Sequence, residues 1–207
     1  MDVEEALGLI SGIANMPLRD LGLSSVDVVN KGATGQWLEL AIGLTNNSWL
    51  KDLTDGEIKT TKFEGSHPAE TVAVTQLKHL LPEIDRGVRW PTSKLAMKLE
   101  QMILVPIHKD SDNPLDWHFD VPIHVGSSSH SGTYQGLRED ADALYRHIQL
   151  VMAAGELHTA NGPNNLIQIR TKASKPYSPI VWNGREIANK GFAFYLTKKF
   201  VLEVTRS

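Results

Sequence analysis

Cysteine is absent from the 207 residues, which excludes disulfides and thiolate metal sites and leads us to expect a reducing, cytoplasmic setting. Long apolar runs are absent too, so no membrane partner is expected. The start MDVEEALGLI is acidic and lacks a basic stretch ahead of its apolar residues, unlike a secretory signal. Positive charge is in short supply: 21 Lys and Arg stand against 24 Asp and Glu, a net of −3. Nucleic-acid binders usually carry a basic footprint, so such a role requires the cations to be confined to one cleft. There is no repeat and no low-complexity linker. What is present is ordinary globular composition, 41% hydrophobic and 22% charged, with length enough for one large domain or two intimate lobes.

Apolar spacing predicts a helix over residues 2–14 and a longer one over Thr34–Leu44, with Trp37, Leu38, Ala41 and Ile42 on its buried side. Glu57–Phe63 and Thr71–Leu77 read as strands, and the Gly65–Ala69 turn between them suggests a hairpin or meander. Ser93–Glu100 reads as a helix. The apolar run MILVPIH (102–108) reads as a buried strand, and Leu137–Gly155 as a long helix. Leu166–Arg170 and Phe192–Phe200 complete a mixed order of elements, which argues for an α/β or α+β core. Trp90 and Trp182 are expected at edges.

The segment Asn30–Lys59 concentrates Lys31, Glu39, Asp52, Glu57 and Lys59. Residues 57 and 59 on a strand share one face, which sets an ammonium beside a carboxylate. Asp52 precedes the strand and can close the site from the turn. Mg²⁺ prefers hard oxygen ligands and usually takes one or two carboxylates plus water and phosphate. An acidic residue followed by Glu-x-Lys is thus the minimum set for Mg²⁺-dependent hydrolysis of a phosphodiester, with Mn²⁺ as a substitute ion. A helical Glu39 can add a further oxygen ligand. A solvated strand face bearing Glu and Lys would show the same letters, and the spacing alone does not separate the two.

KGATGQWLELAIG followed by DLTDGEIKT resembles the MutH family, the methyl-directed nicking endonucleases of mismatch repair, and the type II restriction enzymes related to it. Further blocks resemble that family in its own order: PAETVAV, KLEQMILVP, LREDADAL, LIQIRTKA and GFAFYLTKKF. The resemblance implies a restriction-endonuclease-like (PD-(D/E)xK) α/β fold, a mixed sheet flanked by helices, with two lobes around a DNA cleft. Residues 16–100 would form the catalytic lobe, and 101–207 with the N-terminal helix the recognition lobe. It implies that Asp52, Glu57 and Glu39 bind the metal, that Lys59 is the catalytic lysine and that Lys98 is a second active-site lysine. Lys31 stands at the Lys-Gly position ahead of the Glu39 helix, and Arg170, Lys172, Tyr195 and Lys198 would contact double-stranded DNA. Tyr195 matches a tyrosine implicated in sensing adenine methylation.

The departures from the family pattern fall largely in the recognition half. Thr171 replaces a proline, residues are inserted before LIQIR and within the Gly-Phe-Tyr-Leu block, and Asp110–Ser131 is unlike the family. The Asp52-to-Glu57 spacing is shorter as well. These differences point to a type II restriction endonuclease cutting both strands. The alternatives are a mismatch-repair nickase acting with a MutL-type partner, and a non-catalytic DNA-binding module. Outside the resemblance, His118, Asp120 and His124 sit at even offsets, a spacing compatible with a transition-metal site or with a polar loop.

Overall fold

The structure, a computed structural model, describes residues 1–22, 33–44, 51–155, 157–172 and 179–206. In chain order its elements are α1 (Val3–Ile13), α2 (Ala33–Ala41), β1 (Glu57–Glu64), β2 (His67–Pro68), β3 (Val72–Gln76), α3 (Leu81–Asp85), α4 (Lys94–Leu99), β4 (Gln101–His108), β5 (His118–Phe119), β6 (Ile123–Gly126), α5 (Ser131–Ala154), β7 (Ala160–Asn161), β8 (Ile167–Lys172), β9 (Ile180–Trp182), β10 (Arg185–Ala188), β11 (Gly191–Leu196) and α6 (Lys198–Thr205). The chain is mixed α/β and forms two compact units, residues 1–70 with 100–130 and residues 71–99 with 131–207. The units interleave along the chain, and α1 falls in the first unit.

The first unit is built on a mixed sheet in the order β2-β1-β4-β5, with β6 also on β4. β1 runs parallel to β4, with Glu57 opposite Met102 and Phe63 opposite His108. Met102–Ile107 are buried throughout, as the continuous apolar run requires for a central strand. Pro106 is tolerated there because it stands where β4 changes partner, from β6 at Gln101–Leu104 to β5 at Ile107–His108. Ile58, Ile103, Val105 and Ile107 pack with Val3, Ala6 and Ile10 of α1, with Trp37 and Leu38 of α2 and with Ile42 just after it. Asp2 caps α1 by accepting from the Glu5 N–H at 2.9 Å, and Glu4 and Glu5 complement the helix dipole.

In the second unit, β3-β11-β8-β7 form an antiparallel sheet, and β9 and β10 make a separate hairpin. α5 buries Leu137, Ala141, Leu144, Tyr145, Ile148 and Met152 along one stripe. It begins at Ser131 rather than Leu137, because burial of Tyr134 outweighs the weak helix propensity of Gly132 and Gly136. The expected hairpin of Glu57–Phe63 with Thr71–Leu77 is not formed. The Gly65 turn returns only as far as β2, with Glu64 opposite His67, while β3 pairs with β11 more than a hundred residues later. Trp90 is buried beside Tyr145, ring centroids 6.3 Å apart, not at an edge.

Charge is divided as sharply as the fold. The first unit holds 6 Lys and Arg against 16 Asp and Glu, and the second holds 15 against 8, so −10 and +7 make up the chain's −3. The modest net charge thus conceals one acidic and one basic body.

Candidate functional site

The turn 51–56 delivers Asp52 to the head of β1. Its Leu53 is buried in the core, and Leu53 N donates to Gly56 O at 3.0 Å. The start of α1 fastens the same turn: Asp55 Oδ1 accepts from Val3 N at 2.9 Å, and Thr54 N donates to Met1 O at 3.1 Å. Gly56 permits this closeness, since a Cβ there would lie 2.4 Å from Val3 Cγ2 and 3.1 Å from Gln101 O. Lys51 braces the other side, 3.3 Å from Glu100 Oε2.

Held this way, Asp52 Oδ2 accepts from Ile58 N at 3.0 Å and from Lys59 Nζ at 3.2 Å. Lys59 Nζ also donates to Glu57 Oε1 at 2.7 Å and to Ile58 O at 3.0 Å, so all three ammonium protons have acceptors. Glu57 is 2% exposed. Residues 57 and 59 do share a face, as the strand period requires. Burial acts to lower the Lys59 pKa, but the Glu57 and Asp52 carboxylates outweigh it and hold the ammonium above its ordinary range.

Glu39 comes to the same neighbourhood on α2, whose Thr34 Oγ1 is 3.4 Å from Thr60 Oγ1 of β1. Its pKa is raised, first by burial and then by the negative charge of Asp52, with Glu57 adding to it and Lys59 opposing. Three acidic side chains thus sense one another around one ammonium. They do not form a ready-made cage: among the described residues, no three Asp, Glu or His side chains converge tightly enough to enclose an ion. Mg²⁺ does not demand such a cage, since it keeps several waters and is usually held by one or two carboxylates. Asp52 Oδ2 and Glu57 Oε1 already converge on one positive charge, that of Lys59, so the donor set suits a hard cation.

The remaining expected residues lie in the second unit or outside the described residues. Lys31 is outside them. Lys98 stands half-buried on α4. Gln168, Arg170 and Lys172 alternate on β8 with the buried Ile167 and Ile169, and so share the opposite face. Arg170 donates to Thr71 Oγ1 at 2.7 Å, and its guanidinium carbon lies 4.4 Å from the Tyr195 ring centroid. Lys198 is exposed at the first position of α6.

The His118, Asp120 and His124 set is not brought together. β5 ends at Phe119, and the break before β6 turns His124 away to Gln101 Oε1 at 3.0 Å. Asp120 instead takes His108 Nε2 at 3.0 Å, and the His108 and His118 rings stack at 5.1 Å. Sequence reasoning missed Asp55 and Gly56 as the fastening of the acidic turn, although an Asp-Gly pair just before a strand was a readable signal.

No family model matches the chain. Among curated proteins it is similar to the DNA mismatch repair protein MutH of Histophilus somni, 30% identical over 185 residues that cover 84% of this chain and 78% of the relative. The chain belongs to the MutH family. The MutH protein of Haemophilus ducreyi is 29% identical over 189 residues, 86% of this chain and 79% of its own length. The MutH protein of Actinobacillus pleuropneumoniae is 26% identical over 187 residues, 86% and 79% of the two chains.

Proposed function

We propose that this chain is a Mg²⁺-dependent DNA endonuclease of the mismatch-repair type, nicking one strand of duplex DNA and leaving 5′-phosphate and 3′-hydroxyl ends. The observation that carries the proposal is the convergence of Asp52, Glu57 and Lys59 at the head of β1 in a chain of this family. Asp52 and Glu57 would hold the ion and Glu39 would assist from α2. Bound Mg²⁺, or Mn²⁺ in its place, would polarise the scissile phosphate and acidify a water. Without the ion, the two carboxylates hold Lys59 as an ammonium; beside a bound ion it would orient the attacking water and offset negative charge as it grows on the phosphate. Lys98 would act as the second lysine. Arg170 and Tyr195 would read bases, Lys172 would contact DNA beside them, and Lys31 and Lys198 would meet phosphates. The PD-(D/E)xK restriction-endonuclease-like fold is part of the same proposal.

The altered recognition half points toward a restriction enzyme cutting both strands. The relatives' shared name, DNA mismatch repair protein MutH, favours the mismatch-repair reading, to which one-strand nicking and a MutL-type partner belong in this proposal. The test is incubation of a supercoiled plasmid panel with Mg²⁺, followed by sequencing of the ends. Open circles nicked at one defined sequence support the proposal. Linear product without an open-circle stage favours the restriction reading, and tight binding without cleavage in Mg²⁺ or Mn²⁺ favours a non-catalytic module.

A further inference from the structure

The second unit, net +7, gathers part of its positive charge at one end of the β3-β11-β8 sheet. β11 lies between β3 and β8, with Ala193 opposite both Gln76 and Arg170, and Gly191 opposite Lys172. From Gln76 the chain passes directly into the short 3-10 turn Leu77–His79, which packs on β11 and projects Lys78 and His79 into solvent. α3 follows at once, and its Glu83 accepts from Lys94 N with both oxygens at 3.2 and 3.0 Å, fixing the start of α4 beside this turn. Lys94 and Lys98, four residues apart, lie on one side of α4.

Glu83 does not neutralise these side chains. It is 4% exposed and engaged with the Lys94 backbone and the Tyr145 hydroxyl. Lys78, Lys94 and Lys172 make no ion pair with a described carboxylate. The imidazole of His79 registers the crowding: burial lowers its pKa, and Lys78, Lys94, Lys172 and Lys98 lower it further.

We propose that Lys78, His79, Lys94 and Lys172 form a phosphate-backbone site for duplex DNA on the second unit. The proposal rests on the nuclease reading for its choice of polyanion. The exposed ammonium groups of Lys78 and Lys94 and the half-buried Lys172, without an ion pair among the described residues and beside a glycine on a sheet end, suit a run of phosphodiesters, which need point charges and no base-specific geometry. Gly191 adds no side chain at that end, so a backbone can approach it. This assigns Lys172 to phosphate together with three residues that the family resemblance leaves without a role.

The test is fluorescence anisotropy of a labelled duplex in Ca²⁺ between about 50 and 200 mM salt, the range over which phosphate contacts are read out. The double variant Lys78→Ala/Lys94→Ala should lower the slope of log affinity against log salt by about 1.8, roughly 0.9 per phosphate lost. Lys78→Arg/Lys94→Arg should restore it, and Arg146→Ala, already paired with Asp142 at 2.7 Å, should leave it unchanged. An unchanged slope in the double variant, with wild type still binding and nicking plasmid, overturns this site and leaves the nuclease reading intact. Wild type that neither binds nor nicks duplex DNA overturns the nuclease reading itself. Tighter binding of an RNA hairpin than of the duplex, with the same two-lysine loss, overturns the choice of DNA.

Discussion

Lys59 Nζ lies 2.7 Å from Glu57 Oε1 and 3.2 Å from Asp52 Oδ2, so one ammonium ties together two carboxylates that would otherwise repel. Glu57→Ala therefore removes the shortest of three bonds to a nearly buried cation. It should cost about 1–3 kcal/mol of stability in the ion-free protein, alongside loss of cleavage. Chemical denaturation in EDTA checks the first effect and plasmid nicking the second. Full activity with unchanged stability would remove Glu57 from the site.

Lys59→Ala leaves Asp52 and Glu57 facing each other, with Glu39 nearby. The variant should be inactive, and its melting temperature should rise more with added Mg²⁺ or Ca²⁺ than that of wild type, because the ion replaces the missing charge. A thermal-shift titration reads this directly, since stabilisation follows the logarithm of ion concentration over the dissociation constant. Equal shifts in both proteins would show that the ion does not use these oxygens.

The tie between α1 and the acidic turn gives a test outside the chemistry. Asp55→Ala removes the acceptor for Val3 N and should cost about 1 kcal/mol, as loss of a capping side chain does. Gly56→Ala forces a Cβ against Val3 and should cost about 1–3 kcal/mol. Both should slow nicking by displacing Asp52, with no effect on affinity for DNA in Ca²⁺. A loss of affinity without a loss of rate would contradict this.

The guanidinium of Arg170 is held by Thr71 and by the face of Tyr195. Arg170→Ala should reduce nicking of the cognate site far more than binding to random DNA, by about the 1–3 kcal/mol of a bidentate base contact. Tyr195→Phe keeps the ring and should be milder than Tyr195→Ala. Equal losses on cognate and random DNA for Arg170→Ala would make it a phosphate clamp.

Glu39 has a folded pKa above its ordinary value of 4.5, owing to burial and then to Asp52. The folded protein therefore holds that proton more tightly than the unfolded chain. Any stability Glu39 contributes is fully present below the unfolded pKa and is lost as pH rises through the raised one. Glu39→Gln should raise the melting temperature of the ion-free protein at pH 7–8 and lose that advantage below about pH 4.5, where wild-type Glu39 is itself protonated. A pH series of melts in EDTA decides it.

Local pattern made the strand that carries Glu57 and Lys59 more legible than the architecture. The Glu57/Lys59 face and the stripe of α5 follow from periods of 2 and 3.6, the buried run 102–107 follows from its unbroken apolar character, and the structure shows each. The pairing of β3 with β11 and the grouping of 71–99 with 131–207 are non-local and leave no local signature. For that reason the division into −10 and +7 was hidden, and a net of −3 looked like an objection to DNA binding. Lys78, His79 and Lys94 are unremarkable in sequence and meet Lys172 only through the sheet order. The even spacing of His118, Asp120 and His124 misled because the strand breaks after Phe119.

The most direct measurement of the central claim is nicking of supercoiled plasmid in Mg²⁺ by wild type beside Glu57→Gln, a near-isosteric change that removes one carboxylate charge from the Lys59 cluster. Wild type should accumulate open circles carrying 5′-phosphate at one sequence, and the variant should bind the same DNA in Ca²⁺ but leave it intact. Nicking by both at the same rate would contradict the assignment of the Asp52–Glu57–Lys59 cluster as the catalytic centre.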